Sequence, residues 1–590
     1  MNYAAVSHHA YGTFCYPINK NNLKITIQTG KDIKSLVLIW GDPFLSEKIE
    51  GKWKWKSLQE DSFVRKETQN HFLWTIIVSP PFKRCRYYFK ISDGIEDKYF
   101  FEDGFFAVNE KTPENHVQFI FPWMNEIDIC TVPSWAQQTI WYQIFPARFA
   151  HGKNPADKNP LLPWASPTQK VKNEERYGGN LRGIIEHLDY LEKLGINGLY
   201  LNPVNLAKSQ HKYDTTDYFT IDGEFGTRED MIELVQKAHV RGMRVMLDGV
   251  FNHTGWDFFA WQDVVKNREK SPYASWYIVN DFDFAEYPSD AAKNGKFYSF
   301  AFTDHMPKLN TSNPDVRKYI VNVCERWVKE YDIDAIRLDV ANEISHELCR
   351  ELHNSLRALK SDFFIVGEIW NHALPWLTGD QFDSVINYPL RTAIMDFAED
   401  KSQTAHELEM QLNLCFFMYM EQNERVLLNQ LDSHDTPRLV TKCKNRDLAL
   451  QQFALLFMLT GSICLYYGTE VLLEGEHDPD CRRCMPWNEI EAGKYKTELA
   501  IFSSLIALRK KFKAFSELDF CFVSQQNSQI PDNSRIIQLY KSEPKSNERF
   551  LFTANFSEKD FRLNSTPILL LSHKLQNLNL RPGGFAIQKC

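Results

Sequence analysis

Residues 334–344, DAIRLDVANEI, set the frame in which this chain is read. The first half has the apolar content of a buried strand, yet it carries Arg337 and Asp339. Residues two apart on a strand point to the same face. A charged pair on the inner face of an apolar strand is costly unless its members are paired or used. Two readings stand open: a structural ion pair, or part of a catalytic site.

Seven further runs of this kind flank it: TIWYQIFP (139–146), INGLYLNP (196–203), RVMLDGVFNH (244–253), FFIVGEIW (363–370), DSVINYPL (383–390), RVLLNQLDSHD (425–435) and SICLYYGTE (462–470). Helical patterns alternate with them, among them REDMIELVQKAHVRG (228–242), closed by Gly242 as a helix stop. Eight βα units predict a (β/α)8 TIM barrel over residues 123–511. An open doubly wound sheet is the alternative, but it usually has fewer strands and a Gly-rich first turn, absent here. The stretch after His253 is too long for an ordinary loop and predicts an inserted subdomain, 254–305, over one end of the barrel. Residues 1–122 alternate apolar and polar in short runs such as LKITIQTG and FLWTIIVSP, which predicts an N-terminal β-sandwich. Residues 512–590 return to short strands and predict a small C-terminal antiparallel β domain.

Carboxylates fall at the ends of the barrel strands: Asp248 in the third, Asp339 in the fourth, Glu368 in the fifth and Asp435 in the seventh. C-terminal strand ends of a barrel converge on one mouth, where catalytic residues sit. Arg337, His253 and His434 accompany them as cation and hydrogen-bond donors. Arg337 on the same strand face favours the ionised form of Asp339, the candidate nucleophile. Glu368, between apolar residues and neighbouring anions, is the candidate general acid. Such a pair is what retaining glycoside hydrolysis requires.

The motifs DGVFNH, IRLDVANE, GEIW and LDSHD resemble, in order and placement, the four strand-end motifs of the α-amylase family of glycoside hydrolases. MPKLN (306–310) and the VANE ending resemble its cyclomaltodextrinase, neopullulanase and maltogenic amylase subgroup, and the similarity extends over nearly the whole chain. The resemblance implies Asp339 as nucleophile, Glu368 as acid/base and Asp435 as the carboxylate that stabilises the transition state. It implies that Arg337, His253 and His434 contact the sugar or the nucleophile, and that Asp248 organises the site. Tyr213 then resembles the aromatic platform under the sugar, with His211 beside it, and Trp376 and Glu343 resemble shapers of the acceptor side. The implied substrates are cyclodextrins, maltodextrins and pullulan, cut at α-1,4 bonds, with glycosyl transfer to a sugar as a variant outcome. A homodimer formed through the N-terminal domain is also implied; a glucan-binding role for that domain is the alternative. A non-catalytic glucan-binding or scaffold protein with an amylase-like barrel is the alternative function.

The chain departs from the family at the calcium loop after the first strand. His151 and Lys153 stand where oxygen ligands are expected, and Asn180 keeps an oxygen but loses a charge. Calcium takes six to eight oxygens, so no cofactor is required and calcium is possible only at a degraded loop; Asn154, Asp157 and Asn159 are the donors of a shifted, weaker site, and the alternative is Lys158 as a built-in substitute for the cation.

Net charge is −8, and no Lys/Arg-rich run appears, which argues against nucleic acid. The most apolar stretch, FALLFMLTGSICLYY (453–467), is too short and interrupted to span a bilayer and reads as a buried helix, turn and strand. The start lacks a cationic-then-apolar signal, and twelve cysteines without one fit reduced thiols in a cytoplasmic protein. Cys481 and Cys484 have metal-knuckle spacing but no second pair, and HELCRELH (346–353) lacks the second histidine of a zinc-protease helix.

Overall fold

The structure is a computed structural model that describes residues 1–109, 111–153, 161–518, 520–522, 534–543, 548–564 and 567–590. Asn154, Asp157, Lys158 and Asn159 lie outside the described residues. All eight runs form strands of one parallel sheet: β1 (Ile140–Ile144), β2 (Gly198–Leu201), β3 (Arg244–Gly249), β4 (Ala335–Leu338), β5 (Phe364–Gly367), β6 (Ser384–Val385), β7 (Leu428–Asn429) and β8 (Ser462–Tyr466). The sheet order is β6-β5-β4-β3-β2-β1-β8-β7, and a parallel bridge between Ile386 and Leu428 joins its two ends. Every strand residue of β1, β2, β4, β5 and β8 is buried, because helices cover the outer face and side chains fill the inner one.

Trp141, Tyr200, Met246, Ala335, Phe364, Val366, Leu428 and Cys464 pack into one barrel core. The rings of Trp141 and Phe364 lie nearly parallel, with centroids 6.3 Å apart. Each such fully buried large apolar side chain contributes about 1.5–3 kcal/mol. Between strands run α1 (Leu181–Glu186), α2 (Arg228–Val240), α3 (Pro314–Tyr331) and α4 (His346–Leu359). Thr227 caps α2 by taking the Asp230 N–H while the Asp230 side chain takes the Thr227 N–H. The barrel is anchored at its opposite end by Asp334, which accepts from Val245 N–H, Arg244 and His239 at 2.8–2.9 Å.

The insertion after β3 carries one helix, Phe259–Asn267, and several short 3-10 turns around Trp261. Trp261 is fully buried and stacks against Phe284. The C-terminal sheet is antiparallel, centred on Arg549–Asn555 between Ile536–Ser542 and Asn579–Lys589. It belongs to the same compact unit as the barrel, residues 132–401 and 425–590.

The other compact unit comprises residues 1–131 and 402–424. Two antiparallel sheets enclose a core that includes Leu23, Ile25, Ile27, Leu38, Trp74 and Phe89. The short helices within 402–424 fall inside the 123–511 segment expected for the barrel, yet they bind this sandwich. Asn413 donates to Glu67 O at 2.8 Å, the Glu421 N–H donates to the Tyr16 hydroxyl at 3.0 Å, and Phe417 meets Phe14 edge-on. No helix among the described residues is long and apolar enough to cross a membrane.

Candidate active site

A cleft of about 560 Å³ opens at the C-terminal ends of the barrel strands. Asp339, Glu368 and Asp435 all line it, as do His211, Tyr213, His253 and His434. Asp339 and Glu368 directly follow β4 and β5, whose register sets Leu338 beside Gly367, so the two carboxylates emerge side by side. Gly367 has no room for a side chain: a Cβ there would lie 2.6 Å from the Phe382 ring.

Arg337 is fully buried beneath them and binds three carboxylates at once. Its Nη1 donates to Asp248 Oδ1 at 2.7 Å and to Asp339 Oδ1 at 2.9 Å, and its Nη2 lies 2.9 Å from Glu368 Oε2. A planar guanidinium can serve three partners in this way; an ammonium cannot hold the same fixed geometry. Asp248 is buried behind the cleft wall, where its Oδ2 accepts from the hydroxyls of Tyr200 at 2.8 Å and Tyr213 at 3.0 Å.

One cation among three buried carboxylates leaves negative charge in excess. Burial pushes the Asp339 carboxyl well above the usual carboxylate range, with Glu368, Asp248 and Asp435 adding to the rise and Arg337 opposing it. Arg337 favours the ionised form of Asp339, as its place on the same strand face predicts, and desolvation opposes it. Burial likewise raises Asp248.

Glu368 is held at both oxygens. Oε2 accepts the Val340 N–H at 3.0 Å, and Oε1 accepts from the Trp370 indole at 3.3 Å. Val340 achieves this from a left-handed conformation, φ +44°, that a β-branched residue rarely adopts. Strain of this kind persists only where the surroundings over-determine it.

The histidines are neutral. Burial lowers His253 and His211 to about 3, and His434 falls well below the ordinary imidazole value for the same reason. The Gln143 amide donates to His434 Nδ1 at 2.8 Å, which puts the proton on Nε2, 2.5 Å from the Tyr213 hydroxyl and 3.1 Å from Asp435 Oδ2. The Tyr213 hydroxyl in turn donates to Asp248. His434 and Tyr213 lie parallel, 6° apart in plane, so the platform ring and the histidine form one wall. The Tyr213 N–H donates to His211 Nδ1 at 3.1 Å, leaving the other nitrogen of that ring to the cleft.

Trp376 and Glu343 do not line the cleft. The Trp376 ring stacks on His346, and Glu343 is exposed and paired with Lys308 at 2.8 Å. The tryptophan that does line it is Trp370, stacked on Tyr388 with centroids 3.8 Å apart. Asp478 and Arg482, which pair at 2.8 Å, also line it, and the strand-end pattern does not point to them. Arg482 lies 3.5 Å from Asp435 and donates to His434 O. Both belong to the stretch singled out for its cysteines. Those cysteines are free thiols buried in the core; Cys481 donates to His434 O at 3.1 Å, and Cys484 packs with Ala165, Val171 and Tyr177. The signal for Arg482 was therefore the charge between them.

The family model described as alpha amylase, catalytic domain, matches residues 143–516, and alpha amylase, N-terminal ig-like domain, matches residues 1–125. The chain belongs to the α-amylase family of glycoside hydrolases. An intracellular maltogenic amylase of Bacillus subtilis is 42% identical over 516 residues, covering 87% of this chain and 85% of that one. A cyclomaltodextrinase of Geobacillus thermopakistaniensis is 40% identical over 529 residues, covering 89% and 87%. The solved structure of a cyclomaltodextrinase superposes with a TM-score of 0.87 at 32% identity, over 100% of both chains. The eight-stranded barrel, the sandwich and the C-terminal sheet described above are the architecture expected of this family.

Proposed function

We propose that this α-amylase family member is a retaining hydrolase of α-1,4-glucosidic bonds in cyclodextrins, maltodextrins and pullulan. The observation that carries the reading is the single guanidinium of Arg337 bridging Asp339 and Glu368 in a cleft that Asp435 also lines. Bridging by one guanidinium favours the short carboxylate separation, about 5–5.5 Å, that covalent retaining catalysis needs.

Protonation of Glu368 removes one of the charges that push the Asp339 carboxyl up, and Arg337 then favours the ionised Asp339. In the first step the Asp339 carboxylate attacks the anomeric carbon while the protonated Glu368 gives its proton to the departing glycosidic oxygen. The product is a β-glycosyl ester on Asp339 and a freed sugar hydroxyl. In the second step the Glu368 carboxylate takes a proton from water, whose oxygen displaces Asp339 and leaves an α-configured reducing end. A sugar hydroxyl in place of water gives transglycosylation by the same route. Asp435 binds sugar hydroxyls at the cleavage point, Tyr213 supports the ring from below, and neutral His211 donates its remaining ring N–H to the sugar. His434, whose Nε2 proton faces the Tyr213 hydroxyl and Asp435, and His253, whose Nε2–H donates to Tyr213 O at 3.1 Å, hold that wall of the cleft in place.

Relatives named cyclomaltodextrinase and neopullulanase 2 support the substrate class, and the relative named intracellular maltogenic amylase supports a cytoplasmic site of action. The homodimer of this reading is built through residues 1–122, the sandwich on which Phe44 and Trp53 are 78% and 72% exposed.

The site works in this reading without a resident metal. Asn180 is fully buried, and its Oδ1 already accepts the N–H groups of Gly152 and Gly183 at 3.1 and 2.8 Å while its Nδ2 donates to Gly152 O at 2.7 Å. That amide braces the loop where a calcium ligand would stand, and it does not fit a cation.

The test is the initial rate of reducing-end release from β-cyclodextrin against soluble starch at equal mass, with Asp339→Asn as control. Preference for cyclodextrin, abolished in the control, is the expected result. Inactivity on both would instead favour a glucan-binding protein.

A further inference from the structure

A second groove, about 1220 Å³, runs along the outer wall of the barrel between residues 272–276 of the insertion and the helices α3 and α4. No step of the proposed reaction uses it. Because α3 leaves the C-terminal face of the barrel, the groove begins at the same rim as the catalytic cleft. The two are joined through one short segment: the Asn310 N–H donates to Trp276 O at 2.6 Å, and four residues earlier Met306 lines the cleft.

Part of the groove wall is aromatic. Tyr273, Trp276 and Tyr319 line it, and the adjoining ring of Phe259 is 47% exposed. Their centroids are 5.1–6.1 Å apart, so they form a continuous surface. Polar groups face it from the helices. The exposed side chains of Asn322, Asn354 and Asp315 have no hydrogen-bond partner among the described residues, and neither do the hydroxyls of Tyr273 and Tyr319. Glu351 and Glu325, by contrast, are held by Arg317 at 2.9 Å and Lys329 at 2.7 Å.

A row of rings beside free amides suits a ligand with apolar C–H faces and many hydroxyls. It does not suit an anion, since among the described residues Lys318 is the one cation lining a groove that also carries Asp315, Glu325 and Glu351. We propose that this groove binds a segment of linear α-1,4-glucan, apart from the catalytic cleft, and holds a long chain at the rim where the cleft cuts. The proposal rests on the glycosidase reading above.

The experiment uses the full-length Asp339→Asn protein, titrated calorimetrically with maltoheptaose and run in native gels containing soluble starch. Two sites per chain and retarded migration are expected. Adding Tyr273→Ala and Asn322→Ala is expected to remove one site and weaken starch retardation about tenfold, the loss of roughly one ring stack and its hydrogen bonds. In the active protein the same pair leaves kcat/KM on β-cyclodextrin unchanged and lowers the rate on starch. Asn354→Leu, an exposed change, repeats the starch test without touching the rings. A single maltoheptaose site, or retardation unaffected by these variants, would overturn the proposal. So would protection of the groove that depends on protein concentration alone, which would place a second copy there. Failure of the glycosidase reading shows separately, as no turnover of cyclodextrin.

Discussion

Arg337 and Glu368, on neighbouring strands, are joined at 2.9 Å by the same guanidinium that holds Asp339. The catalytic pair is therefore positioned by one buried cation rather than by two separate surroundings. Arg337→Lys keeps the charge but loses the fork, so kcat on β-cyclodextrin is expected to fall by about 100-fold or more. Arg337→Met removes the charge as well and is expected to destabilise the fold by about 3–5 kcal/mol in denaturant unfolding. A lysine variant of near-normal kcat would show that the fork geometry does not matter.

His253 links stability to pH. Its folded pKa is lowered to about 3, so the imidazole stays neutral in the native state while the unfolded chain binds a proton below about 6.5. The stability it contributes is complete above pH 6.5 and is lost progressively as pH falls toward 3. His253→Gln cannot titrate. The stability gap between wild type and this variant is expected to narrow by up to about 3 kcal/mol between pH 6.5 and 4, measured by urea unfolding. A gap independent of pH would mean that the histidine is charged in the native protein.

The loop braced by Asn180 gives a prediction about metal. Exhaustive chelation is expected to leave both melting temperature and activity unchanged. Asn180→Asp loses the donation to Gly152 O and buries a carboxylate, at an expected cost of about 1–3 kcal/mol that added calcium does not restore. One tightly held calcium ion in metal analysis of the purified protein would contradict this.

The barrel was legible because each strand is a short apolar run between helical periods, and because acids at the ends of such runs are costly to bury unless they are paired or used. Asp339, Glu368 and Asp435 reach one cleft for that reason. The balance of charge was not legible. It depends on Asp248 and Glu368 arriving from the strands on either side of Arg337, a register fixed only in three dimensions. Trp370 and Trp376 are equally aromatic in sequence, six residues apart, but only the first faces the cleft; the second turns its ring onto His346. Residues 402–424 fall within the 123–511 segment expected for the barrel because nothing local marks Asn413 and Glu421 as partners of residues over 340 positions earlier.

A covalent intermediate on Asp339, with Glu368 exchanging the proton, has a stereochemical signature. Proton NMR of β-cyclodextrin hydrolysis, recorded in the first moments before mutarotation, reads the configuration of the newly formed reducing end. The α-anomer is expected first, with the β-anomer growing in only as mutarotation proceeds. Initial release of the β-anomer would mean direct attack by water, and Asp339 would not be the nucleophile.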